Sequence, residues 1–416
     1  MNVIVNAYAC RPGAGSEGGM TWRWIEGLAK HHVHLYVITE GEWRDEIDAA
    51  VCASPYQQYL HFYYNPVSDK IRVMCWNQGD YRFYYYYRKW QKKTLEIAKT
   101  IISEHHIDII HHLNMIGFRE PGDLWKIEGV PYIWGPIGGM SYVPLNYLKD
   151  YSLKTKGKYL FKNLASMFQF RCSYRVRRAF KRSVVLICAN QNSYKIIKNK
   201  YSQKEVVLIN ETGCSYEGPL RLPNVKKNSF DILWVGRFIP TKMLDLTLTV
   251  IKELAKLPNL KVHIVGESKT PETNVFYKEK ARQLGIENLC DWRGWVSHEE
   301  VQTLMKESDL LFFPSVVEGT PHVVLEAIAN NLPVVCLDVC GQGDVVDDRI
   351  GVKIPASRPE ESIFKFVEAI SGLYHDRKLL RELRVNCNDR KKELSWERKI
   401  EQIYSIYKSC LENGSL

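Results

Sequence analysis

No run of eighteen or more apolar residues occurs in this 416-residue chain, which argues against a membrane-spanning helix. The N-terminal stretch Met1-Asn2-Val3-Ile4-Val5-Asn6-Ala7-Tyr8 lacks the basic start and long apolar core of a signal peptide, and reads instead as a first strand. The 11 cysteines are odd in number, scattered, and never spaced C-x-x-C. Neither a disulfide framework nor a zinc site is indicated, so no metal is expected and a reducing cytoplasm fits best. Cys336 and Cys340 read as a strand residue and a loop residue rather than ligands. Acidic residues are scarce in one place: between Lys149 and Arg182 there are eleven basic residues and a single acid.

What is present is a globular composition in a chain longer than one hydrophobic core usually serves, which implies two domains. Strand-like and helix-like segments alternate as in βαβ units. Strands are expected at 2–8, 34–39, 107–113, 132–134 and 184–189, with a helix near 84–105 and another after Gly18-Gly19 presenting Trp24, Ile25 and Leu28 on one face. Residues 211–230, rich in Gly, Pro and Lys, read as a linker. A second series follows, with strands at 231–236, 261–266, 290–293, 309–313 and 333–337 and a helix from about Met243. Two doubly wound sheets place ligand sites at the C-terminal ends of their strands, across a cleft. The region 383–416 reads as terminal helix.

The most informative stretch is Ser315-Val316-Val317-Glu318-Gly319-Thr320-Pro321-His322-Val323-Val324-Leu325-Glu326. The apolar strand Asp309-Leu310-Leu311-Phe312-Phe313 precedes it, and Pro321 suits the first turn of a helix. Glu318 is then on the loop and Glu326 within the helix. Gly319 and Thr320 would offer backbone N–H groups to a phosphate or diphosphate, with a carboxylate on either side for hydroxyls. Two acidic residues on a solvated helix face would account for the spacing alone. The nearly all-apolar helix around Glu326 and the strand end before Glu318 favour a site.

The chain resembles the retaining glycosyltransferases of family 4 with the GT-B fold. Glu318 and Glu326 match the E-x7-E pattern, Gly236-Arg237 and Lys242 match a strand-terminal G-R followed by lysine, and Gly18-Gly19 match an N-terminal glycine-rich turn. The resemblance implies an α/β protein with two Rossmann-like domains facing each other across a cleft. One would span 1–215, with the helix 390–416 packed back on it, and the other 225–389. It implies transfer of a sugar from a UDP- or GDP-sugar with retention of anomeric configuration, with no cofactor or metal. Arg237 and Lys242 would hold the diphosphate, Glu318 the donor sugar and Glu326 the ribose. Gly18 and Gly19 would approach the donor phosphates, and Gly15, Ser16 and Glu17 would line the acceptor side. The glycine-rich turn is not read as a dinucleotide fingerprint.

One departure concerns the N-terminal half. Family members carry a histidine two positions beyond an Asp-x-x-His; here Asp108-Ile109-Ile110-His111 is followed by His112, Leu113 and Asn114. His112 or Asn114 would take that role, or the role is absent, and a structural histidine at a strand end is an equal reading for His111 and His112. Arg119-Glu120 and residues 134–139 are candidate cleft loops. The basic stretch Lys149 to Arg182, interleaved with aromatics and joined by the cluster Tyr81 to Trp90, suits an anionic membrane surface or, equally, a solvated helix face. Nucleic acid is disfavoured because no recognised module accompanies the charge. The expected function is therefore extension of a glycan, lipid-linked and of the surface-polysaccharide kind, by a cytoplasmic protein peripheral on the inner membrane face. The alternatives are a nucleotide-sugar epimerase of the same fold and a non-catalytic partner subunit.

Overall fold

The computed structural model describes residues 1–15, 17–77, 80–214 and 229–413. The expected linker lies largely outside them, as does Ser16. The chain divides into two compact units, one of Met1–Met140, Leu164–Thr212 and Trp396–Leu416, the other of Ser141–Asn163 and Gly213–Ser395.

The first unit is built on β1 (Asn2–Ala7), β2 (His34–Thr39), β3 (Leu60–Tyr64), β4 (Ile109–Asn114), β5 (Tyr132–Ile137), β6 (Val185–Cys188) and β7 (Glu205–Leu208). All pairs are parallel, in the order β3-β2-β1-β4-β5-β6-β7. Central strands are apolar on both faces because both faces are covered. Val3 and Val5 point to a layer containing Trp24, Ile25, Ile400 and Ile403, while Ile4 points to one containing Ala98, Ile101 and Phe180. The helices Glu17–Lys30 and Trp396–Asn413 meet at Gly27, where an added Cβ would lie 2.5 Å from Ile400 Cγ1.

The second unit repeats the plan with β8 (Phe230–Val235), β9 (Leu260–Val265), β10 (Cys290–Gly294), β11 (Leu310–Phe313), β12 (Val334–Leu337) and β13 (Gly351–Ile354), in the order β10-β9-β8-β11-β12-β13 and again all parallel. Ile232 and Trp234 face one layer and Leu233 the other. In each sheet the strand order reverses once, between β1 and β4 and between β8 and β11, and such a switch point leaves a crevice at the strand C-termini.

Two features differ from the sequence expectation. Residues 141–163 group with the second unit: Tyr151 Oη donates to Asp245 Oδ2 at 2.6 Å, Asn146 Nδ2 donates to the Ser357 carbonyl at 2.7 Å, and the Tyr147 and Ser362 hydroxyls are 2.6 Å apart. The terminal helical region is two helices, Arg377–Glu393 and Trp396–Asn413, and only the second contributes to the core of the first unit.

Candidate functional site

The site at the β8/β11 switch point begins with glycines. β8 runs into Gly236, whose Cα faces the Lys242 stem: an added Cβ would be 3.4 Å from Lys242 Cδ. Beside it Gly266, at the end of β9, has φ +112 and packs so closely that a Cβ would meet the Gly236 carbonyl oxygen at 2.1 Å. Only glycine fits there. Arg237 follows and is exposed. A single 3-10 turn, Pro240–Lys242, then ends in Met243 with φ +56, which aims Lys242 back over the strand ends before the helix Leu244–Leu254 begins.

Lys242 Nζ lies 2.8 and 3.0 Å from the two Glu318 carboxylate oxygens and 4.9 Å from the Phe313 ring centroid. The loop after β11 is tied to this turn by Val316 N–H donating to the Thr241 carbonyl at 3.0 Å. The lysine assigned to phosphate and the glutamate assigned to sugar thus form one ion pair, largely enclosed, with 13% and 17% of their side chains exposed. The motif spacing did not foretell that contact.

The E-x7-E geometry follows. The helix is His322–Ala329, with Pro321 immediately before it, so Glu318 is on the loop and Glu326 in the helix. Burial pushes the Glu326 carboxyl above its usual range, with His298 opposing. Burial, with the Lys242 ammonium beside it, holds His322 below the usual imidazole range. Gly319 has open space where a Cβ would be, whereas the Thr320 hydroxyl is buried without a hydrogen-bond partner among the described residues. Residues after β12 support the loop from behind. Gln342 Nε2 donates to the Ser315 carbonyl at 2.8 Å, and a Cβ on Gly341 would clash with Pro321 Cδ at 2.7 Å. Cys340, with φ +51, has its thiol within hydrogen-bonding reach of the Glu318 backbone and the Ser141 side chain. Sequence reasoning placed Cys340 in a loop but missed this support, for which the adjacent glycine was the available signal.

In the first unit the residues singled out are occupied structurally. Gly18 and Gly19 are buried, and a Cβ on Gly19 would lie within 1.7 Å of the Ala14 carbonyl oxygen, so the glycine lets the turn fold onto the helix start. Gly13, Gly15 and Gly18 do have G-x-G-x-x-G spacing after β1. The acid that follows β2, Glu40, is however held through Oε1 by Arg72 at 2.9 Å and by the Val67 N–H at 3.1 Å, which ties it to the fold. Glu17 is partly buried, with Oε1 accepting from Ile116 N–H at 2.9 Å, and desolvation raises its carboxyl. Its side chain is turned to the backbone after β4.

His111 uses both ring nitrogens. Nε2–H donates to the Gly135 carbonyl at 2.7 Å, so Nδ1 accepts from the Tyr407 hydroxyl at 2.6 Å. Burial lowers it to about 4. His112 Nδ1 accepts from Asn6 Nδ2 at 3.0 Å; its buried Nε2 has no partner among the described residues, and burial lowers it to about 3. Asn114 Nδ2 donates to the Ala9 carbonyl at 2.8 Å and to Thr21 Oγ1 at 2.6 Å, pinning the loop after β1 to β4. Of the candidate cleft loops, Glu120 accepts from Arg88 Nη2 at 2.5 Å and Arg175 Nη1 at 2.9 Å, and Trp134 is core.

A neutral buried histidine has a stability consequence of fixed sign. With the folded value near 4 against an ordinary 6.5, its contribution is present above the ordinary value and is lost as pH falls through the folded one. His111→Phe should therefore flatten the acid limb of the melting temperature against pH, while costing about 1–3 kcal/mol at neutral pH for the two stranded partners. Turnover per folded molecule should hold. A hundredfold loss of kcat with an unchanged melting temperature would instead place His111 in the chemistry.

Residues 221–393 match the family model described as glycosyl transferases group 1. An uncharacterized glycosyltransferase of Methanocaldococcus jannaschii is 25% identical over 75% of this chain and 78% of its own length. UDP-Gal:alpha-D-GlcNAc-diphosphoundecaprenol alpha-1,3-galactosyltransferase of Escherichia coli is 24% identical over 64% of this chain and 65% of its own. Other curated relatives are matched over about half their length, 45% and 46%. Among solved structures, a glycosyltransferase from Rickettsia africae superposes with a TM-score of 0.64 at 16% identity, covering 99% of each chain. The chain therefore has the GT-B fold, and the segment that matches group 1 glycosyl transferases is the one that carries Arg237, Lys242, Glu318 and Glu326.

Proposed function

We propose that the protein is a retaining glycosyltransferase of family 4 that moves a sugar from a nucleoside diphosphate sugar, UDP- or GDP-linked, to a lipid-linked glycan acceptor in surface polysaccharide synthesis. The observation that carries this reading is the Lys242–Glu318 pair at the β8/β11 switch point, with Glu326 on the helix that follows. As the glycosidic bond breaks, negative charge accumulates on the leaving diphosphate. Fixed cations aimed at it lower the barrier. Lys242 supplies a point charge already held in place, and Arg237 a planar fork just after the same strand, β8. Glu318 steers Lys242 and faces the sugar; Glu326 takes the ribose hydroxyls. The E. coli relative, named for transfer to a diphosphoundecaprenol-linked GlcNAc, supports the lipid-linked acceptor.

The test is a panel of nucleotide sugars scored by thermal stabilisation, followed by incubation of the best donor with lipid-linked acceptors and determination of the product anomer. One donor should stabilise the protein, by about 3 kcal/mol at a hundredfold excess over its dissociation constant. The product should keep the donor's anomeric configuration. Epimerisation of the donor without transfer would assign the alternative activity. Stabilisation by no nucleotide sugar would remove the reading. Because Arg237 and Lys242 supply the positive charge in this scheme, EDTA should leave turnover unchanged. Loss in EDTA restored by magnesium or manganese would show that a divalent ion carries that charge.

A further inference from the structure

The helix Leu153–Cys172 carries an apolar stripe that the fold leaves uncovered. It is held through Tyr159, Asn163, Ser166 and Phe170: Ser166 and Phe170 are buried, and Asn163 Nδ2 donates to the Val143 carbonyl at 2.9 Å. Leu153, Leu160, Phe161, Leu164 and Phe168 recur at helical spacing on the opposite side. All five are exposed, Leu153 at 84%, Phe161 at 74% and Phe168 at 68%. A water-facing helix rarely presents five large apolar side chains in one line.

Charge decides what covers the stripe. Lys154, Lys158 and Arg171 are exposed beside it, within the segment of eleven basic residues and one acid. The next helix, Tyr174–Arg182, adds an exposed Tyr174 with the Arg178 guanidinium 5.2 Å from its ring centroid. Arg175, by contrast, is spent on Glu120 and belongs to the fold. Part of the aromatic run at Tyr81 to Trp90 is likewise core, since Phe83, Tyr87 and Trp90 pack around Tyr8 with ring centroids 5.0 to 5.5 Å away. A second copy of the chain meeting this face would oppose like charges. An apolar line between lysines matches the headgroup region of a bilayer, where the side chains reach acyl carbon and the ammonium groups reach phosphate.

We propose that the helix Leu153–Cys172 lies in the interface of an anionic lipid bilayer, with Leu160, Phe161, Leu164 and Phe168 inserted and Lys154, Lys158 and Arg171 at the lipid phosphates. The inference rests on the reading of a lipid-linked acceptor, and concentrates the protein on the surface that holds it. No helix among the described residues is long and apolar enough to cross a membrane.

Cosedimentation with vesicles of phosphatidylglycerol in phosphatidylcholine, against phosphatidylcholine alone, tests it at low and high salt. Wild type should bind the anionic vesicles. Lys154→Gln/Lys158→Gln/Arg171→Gln should weaken that binding about a hundredfold at low salt and little at high salt. Phe161→Ser/Phe168→Ser should weaken it about tenfold at both. Binding that ignores lipid charge or the phenylalanine substitutions overturns the proposal. So does a dimer, seen by sedimentation velocity, that the phenylalanine substitutions dissolve while wild type ignores vesicles. Nucleotide-sugar binding is measured without lipid on the same preparations. Its survival when vesicle binding fails refutes this surface alone, and its absence when vesicles bind refutes the transferase reading alone.

Discussion

Lys242→Ala should lower turnover about a hundred- to a thousandfold, the usual cost of removing one fixed donor aimed at charge that develops in the transition state. The lysine is held before any substrate arrives: its ammonium is shared between both Glu318 oxygens, its stem lies against Gly236, and Met243 in the left-handed region fixes the turn that presents it. Removing it also strands the Glu318 carboxylate in a partly enclosed site, so part of the loss could come from a disturbed loop. Comparing the double variant Lys242→Ala/Glu318→Gln with Glu318→Gln alone separates the two causes. If Lys242 only neutralises Glu318, the two should turn over equally fast. If Lys242 meets the leaving diphosphate, the double variant should be as stable as Glu318→Gln while its turnover falls well below it. Arg237→Ala should show a loss of the same order with no change in melting temperature, because that side chain is exposed. Wild-type single-turnover rates in Lys242→Ala would end the diphosphate assignment.

How much of this was legible in the sequence depended on where each element sits. The central strands β1, β4, β8 and β11 are buried on both faces and read as apolar runs, so their positions were found to within a residue or two. β3, β7 and β13 are edge strands. Sequences such as Leu60-His61-Phe62-Tyr63-Tyr64 and Glu205-Val206-Val207-Leu208 are partly exposed and carry polar residues, so their apolar pattern is weak. Residues 141–163 fell on the wrong unit because the hydroxyls that anchor them, those of Tyr147 and Tyr151, find partners a hundred or more positions away or nearly so, at Ser362 and Asp245.

The site shows the same division. The placement of Glu318 on a loop and Glu326 in a helix was legible because eight residues across a strand–loop–helix junction have few geometric alternatives. The Lys242–Glu318 pair joins positions 76 apart and was not. Nor were the contacts of Cys340 and Gln342 to the back of the loop, since no local pattern links a residue after β12 to one after β11. His111 illustrates the reverse error available to a motif reading. Its place in the Asp-x-x-His pattern suits a catalytic role, but it lies inside β4, where two hydrogen bonds and burial occupy it.

Glu326→Ala and Glu318→Ala should fail in different ways, and the difference follows from their surroundings. Glu326 is on a helix, flanked by the buried Leu325 and Ala327, with burial raising its carboxyl and only His298 opposing. A carboxylate in that half-buried position is only partly hydrated, so a pair of ribose hydroxyls is worth about 1.5–3 kcal/mol as charge-assisted hydrogen bonds. Its removal should weaken both the nucleotide sugar and the free nucleoside diphosphate by about ten- to a hundredfold, with turnover at saturation nearly kept. Glu318 is already satisfied by Lys242 and has no such need for the nucleotide. Its loss frees the lysine to move, so turnover and discrimination between sugars should fall while affinity for the free nucleotide is spared. Titration calorimetry with the free nucleotide, alongside steady-state kinetics with the donor, reads the two apart. Equal losses of nucleotide affinity in both variants would mean that Glu318 and Glu326 act on the same part of the donor, and the proposed division between sugar and ribose would have to be abandoned.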